Sequence, residues 1–299
     1  MTAGPAGPPA IRADQFSPGA GARQPARPPR RMPAWQAVAT SMLLLALLVG
    51  GFVAYLYLAS RIQEASAQSR LYQQLAGELS QETGPLGPTR PGHPVAAVSI
   101  PAIGLRDAVI VEGTAPEMLE LGPGHLRDTP LPGQLGLSVV YGRRATFGAP
   151  FARLDELQPG DQIITTTQQG RAVYRVAAIG DSQHPVTDTD LSRLVLLTAS
   201  SPDVPTYYLE VDADLASAPH NGYVQLPLIG PAEGAMAGDP AALVLTMVWG
   251  LALAAVSAGG AAAAARWSGW PVYLVLAPAV LAVAWNLYQN LAALLPNLY

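Results

Sequence analysis

Cysteine and lysine are both missing from this 299-residue chain. Without Cys there is no disulfide, no thiolate metal site and no thiol nucleophile. An exported domain that folds without oxidation fits that absence. Every one of the 17 basic residues is Arg; with the Ala, Gly and Pro excess this reads as genome composition, and no chemistry is drawn from it. Charge is scarce, at 13% of residues and a net of −4. No basic face is available, so nucleic acid is not an expected partner. The Asp188, Asp190 and Asp203 carboxylates lack regular ligand spacing and are expected in turns and caps. Neither a metal nor a cofactor is expected.

What is present falls into blocks. Residues 1–33 are rich in Pro, Gly and Ala, and carry Arg12, Arg23, Arg27, Arg30 and Arg31. Such a stretch cannot bury a core, and a disordered cytoplasmic tail is expected. Residues 34–60 hold an uncharged apolar body, Ala37–Leu58, long enough to cross a hydrocarbon core of about 30 Å as a helix. A cleaved signal peptide has a shorter apolar region, so an uncleaved anchor is expected. Residues 61–94 read as a helical stalk ending in a Pro/Gly linker. Residues 215–239 are a second linker. Two more uncharged spans follow, 240–265 and 272–295, separated by a break at Arg266–Pro271. Small residues at Ala46, Gly50 and Ala54, and at Gly250, Ala254, Ala258 and Ala262, suit close helix packing. Asn286 and Gln289 are expected to join helices. Positive charge stays in the cytoplasm. The N-terminus is therefore expected inside, residues 95–214 outside, and the chain a multi-pass protein of the cell membrane.

Residues 95–214 are the folded domain. Eight strands are read at Val95–Ile100, Leu105–Val111, near Gly124–Leu126, Leu137–Tyr141, Gln162–Thr167, Arg171–Ile179, Leu194–Thr198 and Tyr207–Val211. Gln169-Gly170 marks a hairpin turn. Thr114–Glu117 reads as a capping box for a short helix. Phe151–Leu157 reads as a further turn and a half of helix. Many short strands with few helices leave a barrel and a sandwich both open.

The motifs decide between them. Ile100–Leu105 (IPAIGL), Gly122–His125 (GPGH), Thr129–Gly133 (TPLPG) and Leu135–Asp161 follow one another in the order and spacing of the sortases. The domain resembles that family of membrane-anchored cysteine transpeptidases of Gram-positive cell walls, in particular its class C and E members. The resemblance implies a mainly β fold: an eight-stranded barrel with short helices, here with three transmembrane α-helices. It also implies a Cys that attacks the Thr carbonyl of a sorting signal such as LPxTG, a His that moves the proton, and an Arg that steadies the oxyanion.

All three positions are replaced. The Gly-His-Arg corner reads Gly142-Arg143-Arg144, so Arg143 stands for the His. The strand that ends in Thr-Leu-x-Thr-Cys in that family reads Val195–Ala199 here, so Ala199 stands for the Cys. The following strand begins at Thr206–Leu209, so Tyr208 stands for the Arg. Alanine offers no nucleophile, and a guanidinium does not accept protons. Loss of one triad member can cost on the order of 10⁶ in rate. The leading expectation is a pseudoenzyme with a binding or scaffolding role at the cell surface. Its binding face would use Arg143, Thr198, Ser200 and Tyr208, and its partner would be a sorting-signal peptide, a surface protein or a partner sortase. Arg143 would meet a carboxylate at the groove floor, unless it is a surface Arg whose stem packs on Phe147. One alternative is an active hydrolase or transpeptidase with Ser200 or Ser201 as nucleophile and His184 as base. Another is a structural membrane subunit.

Overall fold

In the computed structural model, which describes residues 2, 4, 34–183, 192–203, 205–222, 229–266 and 271–299, three helices are long and apolar enough to cross a membrane. The first is continuous: α1 (Ala34–Ala54), a π-helical turn at Tyr55–Ala59, and α2 (Ser60–Ser80). A π turn carries one extra residue, and such bulges concentrate where a helix meets something else. Here the turn docks on the folded domain. Ser60 bonds back to the Leu56 carbonyl and accepts the Phe147 N–H at 3.1 Å. Tyr55 sets its ring edge-on to Phe147, with centroids 6.4 Å apart.

The other two spans are α4 (Ala242–Arg266) and α5 (Pro271–Ala293). A Cβ at Gly260 would collide with Leu276, while Gly250 has open space around it. The close approach therefore falls between Ala258 and Ala262, two residues off the expected small-residue row. On the first span it is Gly51, not Gly50, that faces a partner, the Tyr288 ring. Asn286 donates to the Ala282 carbonyl of its own helix at 2.8 Å. It satisfies itself by back-bonding, and does not join helices as expected. The expected tail 1–33 and the tip of the break, 267–270, lie outside the described residues, apart from residues 2 and 4.

The remaining chain closes into a barrel of β1 (Pro94–Ile100), β2 (Leu105–Glu112), β3 (Gly124–His125), β4 (Gly136–Tyr141), β5 (Gln162–Thr167), β6 (Gly170–Asp181), β7 (Ser192–Ala199) and β8 (Tyr208–Leu215). The strand order is β1-β2-β3-β4-β7-β8-β6-β5. The β2–β3 and β4–β7 pairs are parallel and the others antiparallel. Alternate residues point inward, and Val98, Ile110, Val140, Ile163, Leu194, Leu196 and Val211 fill the interior.

Several local expectations shift. The Phe151–Leu157 helix is only a 3₁₀ turn at Leu154–Glu156. The helix α3 (Pro116–Leu119) has no side-chain cap, because the Thr114 hydroxyl is bonded instead to the Glu233 carbonyl at 2.8 Å. The hairpin turn sits at Gln168-Gln169, with Gly170 at φ 122 opening β6. The helix expected as a stalk does not stand free: Leu75 is buried with Ala97 and Val109 on the barrel wall, flanked by Leu71 and Leu79. Gln68 receives the Val109 N–H at 2.7 Å and donates to the Val109 and Leu121 carbonyls.

Candidate functional site

Strand register assembles the three replaced positions. Parallel pairing sets Tyr141 beside Leu197, so the chain leaves β4 at the level where β7 ends. The Gly142 N–H bonds the Leu197 carbonyl at 3.0 Å, and Thr198 Oγ1 donates to the Gly142 carbonyl at 2.9 Å. Antiparallel pairing then sets Ala199 opposite Tyr208 at the start of β8. Arg143, Ala199 and Tyr208 thus gather at one end of the barrel from three strands. Gly142 is required at the corner, since a Cβ there would run into the Phe151 ring. Beyond it, Phe147, Gly148 and Ala149 all have positive φ, of 48°, 75° and 50°. This left-handed turn is costly for the two non-glycine residues.

The side chains at these positions are mostly committed internally. Arg143 is fully buried. Its Nη1 donates to Thr146 Oγ1 and its Nη2 to the Pro116 carbonyl, both at 3.3 Å, while its guanidinium carbon sits 4.6 Å from the Phe147 ring centre. Arg143 does pack on Phe147, through a cation–π contact, but as a buried side chain and not the surface one expected. No ion pair holds Arg143 among the described residues, and burial brings its pKa down to about 10 against the raising pull of Glu120. Thr198 is buried as well, so of the four expected binding residues only Ser200 and Tyr208 keep some exposure. Ala199 is fully buried.

Arg144, which the sequence reading passed over, spans the site. Its Nη1 donates to the Ala199 carbonyl at 3.1 Å and its Nη2 to Asp155 at 2.8 Å. It stands at the Arg of the Gly-His-Arg corner, which was the signal available for it. His125, in the GPGH turn, is bonded within the fold: Nδ1 faces Glu112 at 3.1 Å and Nε2 faces the Pro130 carbonyl at 3.0 Å. Asp203 lies in a turn, with its N–H on Ser201 Oγ at 3.2 Å. No hydrogen bond joins Ser200 or Ser201 to a His among the described residues, and His184, Asp188 and Asp190 lie outside them. No cluster of metal-ligating side chains occurs among the described residues.

A strained corner, a strand ending beside it and a partner strand opening across from it define a sortase-type barrel. A family model for the Sortase domain matches residues 98–210. Over that stretch the chain carries a sortase-type domain. Sortase D of Bacillus subtilis (strain 168) is 39% identical over 67 residues, which are 22% of this chain and 32% of that protein. The chain thus spans about a third of the length of that curated relative. Among solved structures, a Sortase D5 transpeptidase of Clostridium perfringens is similar at 24% identity and a TM-score of 0.45, over 51% of this chain and 99% of that one. Sortase E of Streptomyces avermitilis is similar at 29% and 0.38, over 44% and 93%. The sortase family is one of cysteine transpeptidases, and this chain has no Cys.

Proposed function

We propose that this chain is a catalytically inactive sortase, held by three helices at the outer face of a cell membrane, where it binds or scaffolds other components. The observation that carries this is the end of β7. The position at which a thiolate would stand is Ala199, and the chain has no Cys anywhere to replace it. The neighbouring corner supplies two guanidiniums, Arg143 and Arg144, and neither can act as a general base. Relocating the chemistry to Ser200 or Ser201 would need an adjacent base. The partners that fit the family are sorting-signal peptides, surface proteins or an active sortase.

The test is turnover by the purified full chain in detergent or nanodiscs. With sorting-signal peptide and an amine acceptor, no cleavage and no transfer are expected. A Ser-reactive phosphonate probe is expected to leave the protein unlabelled. Cleavage that disappears in Ser200→Ala or Ser201→Ala overturns the proposal in favour of a serine enzyme. For orientation, protease added to intact cells is expected to cut within residues 95–214; full protection there reverses the topology.

A further inference from the structure

The outer face of β4 and β7 carries Val139, Tyr141, Val195, Leu197 and Ala199, all buried although they point away from the barrel interior. Leu119, Leu126 and Tyr208 of the domain itself cover part of this face, and the segment after α5 covers more of it. Leu298 is fully buried in that same apolar cluster, joined by Ala235 and Met236. The segment 294–299 comes straight off α5, which ends at Ala293, and lies down over the replaced catalytic positions.

It is held as a peptide ligand is held. The Arg144 N–H donates to the Leu298 carbonyl at 3.0 Å, and Thr146 Oγ1 donates to the Tyr299 carbonyl at 2.7 Å. Those are main-chain acceptors gripped by the corner that follows β4, while the Leu298 side chain fills an apolar pocket. Main-chain bonds with alternate side chains in pockets are the general mode of extended-peptide recognition. Asn297 is fully buried too. Its Nδ2 donates to the Ala232 and Gly234 carbonyls at 2.7 and 2.8 Å, and its N–H to the Ala237 carbonyl at 2.8 Å. The 231–237 platform that reads Asn297 is itself fixed to the barrel: Thr114 Oγ1 holds the Glu233 carbonyl, and Arg127 pairs with the Glu233 carboxylate. Arg144 connects the two halves, with its N–H on the segment and its guanidinium on the Ala199 carbonyl.

We infer that the outer face of β4 and β7 is a peptide site filled in cis, and that residues 294–299 are its tethered ligand. The class of ligand follows from the contacts: an extended peptide with a Pro, then an amide side chain, then a Leu whose carbonyl accepts the Arg144 N–H. A partner peptide of that class reaches the face only by displacing the segment. Tethering gives the segment an effective concentration on the order of mM. A free peptide of about 10 μM intrinsic affinity would then bind about 100-fold more weakly to the closed protein. This deepens the binding role proposed above, but its test does not depend on the absence of catalysis.

The chain's lack of Cys makes the test clean. Ala199→Cys introduces one thiol, and maleimide labelling of the full chain reads whether that position is covered. With the native segment, labelling is expected to be slow; adding Leu298→Asp is expected to speed it roughly 30-fold, and Asn297→Ala roughly 10-fold, as the tethered fraction falls. An acetylated peptide of sequence Leu-Leu-Pro-Asn-Leu-Tyr at mM concentration is expected to restore protection in the Leu298→Asp protein. Val140→Cys, in the barrel interior, reports unfolding and is expected to stay protected in both variants. The inference is overturned if Ala199→Cys labels rapidly with the native segment in place. It is overturned equally if neither variant accelerates labelling, if the peptide does not protect, or if Val140→Cys opens together with Ala199→Cys in both variants. That last result would make the segment an inseparable part of the core. Turnover in the activity assay with these results intact would remove the pseudoenzyme reading and leave the tethered ligand standing.

Discussion

The inner and outer faces of β4 and β7 are both apolar and both buried, yet they are buried by different things. Val140, Leu194 and Leu196 face inward onto residues of neighbouring strands. Barrel closure alone covers them. Val139, Tyr141, Val195, Leu197 and Ala199 face outward and pack with Leu119, Leu126 and Tyr208 of the domain, and also with Ala235 and Met236 from the stretch between β8 and α4 and Leu298 from the stretch after α5. The inner face is thus a property of the barrel alone, while the outer face depends in part on segments added to it. A mutation on one side tests the barrel; on the other it tests what lies over it.

Truncating each face separates them most sharply. Leu196→Ala removes a fully buried side chain from a core that cannot collapse, and a loss of about 3–5 kcal/mol is expected. Leu197→Ala, one residue on, opens a gap under a separate segment that can settle onto it, and about 1–2 kcal/mol is expected. Denaturant unfolding in detergent measures both. Leu197→Ala, but not Leu196→Ala, is expected to quicken labelling of Ala199→Cys while the barrel remains folded. Equal losses, with no difference in labelling, would erase the distinction between the faces.

Arg143 gives the next largest effect. It is a buried cation with an unpartnered Nε and no carboxylate in contact among the described residues. Removing it outright leaves a large void beside Phe147, and Arg143→Ala is expected to lower stability by about 2–3 kcal/mol. Replacing it with an apolar side chain of similar length removes a desolvation penalty, so Arg143→Met is expected to fall within about 1 kcal/mol of the parent, on either side. A loss of the Ala size in Arg143→Met would show that the guanidinium's hydrogen bonds, not its bulk, hold the corner.

How far these features could be read in advance follows the same division. The barrel was legible because alternating strands, turn residues and the IPAIGL, GPGH and GRR motifs are local signals. Ala199, Arg143 and Tyr208 were named from the same motifs, and register brings them to one end of the barrel. The environment of Arg143 was not, since burial depends on Phe147 adopting a left-handed backbone and on α1 ending against it. The cover was invisible altogether. Residues 231–237 carry Pro and Gly and read as linker, and Leu298 reads as the tail of a span. Even so, the uninterrupted apolar run Leu194–Leu197 carried a clue: a strand apolar on both faces needs a cover on each.

The smallest effect concerns charge. Glu120, which follows α3 beside the covered outer face, lines a cavity of about 290 Å³ with Glu117, Asp239, Gln289 and Asn290. Burial pushes its carboxyl up to about 7, against the lowering pull of Arg143 and of the Gln63 amide. In the inner core the shifted group is the Tyr174 hydroxyl, raised by burial to about 12. Titration below pH 8 at this end therefore belongs to the outer region. The folded state holds the Glu120 proton more tightly than the unfolded chain, whose carboxyl titrates near 4.5. Its stabilising contribution is complete below that value and is lost as pH rises towards 7. Glu120→Gln keeps a neutral amide in place, so the difference in stability between variant and parent is expected to grow by about 1–2 kcal/mol between pH 4.5 and 7.5. Taking the difference cancels the histidines and the other carboxyls. Thermal melts of both proteins across that range supply the curve. A flat difference would mean that water reaches Glu120 through the cavity, and a difference that shrinks with rising pH would mean that Arg143 pairs with it after all, turning a buried cation and a lifted carboxyl into one salt bridge.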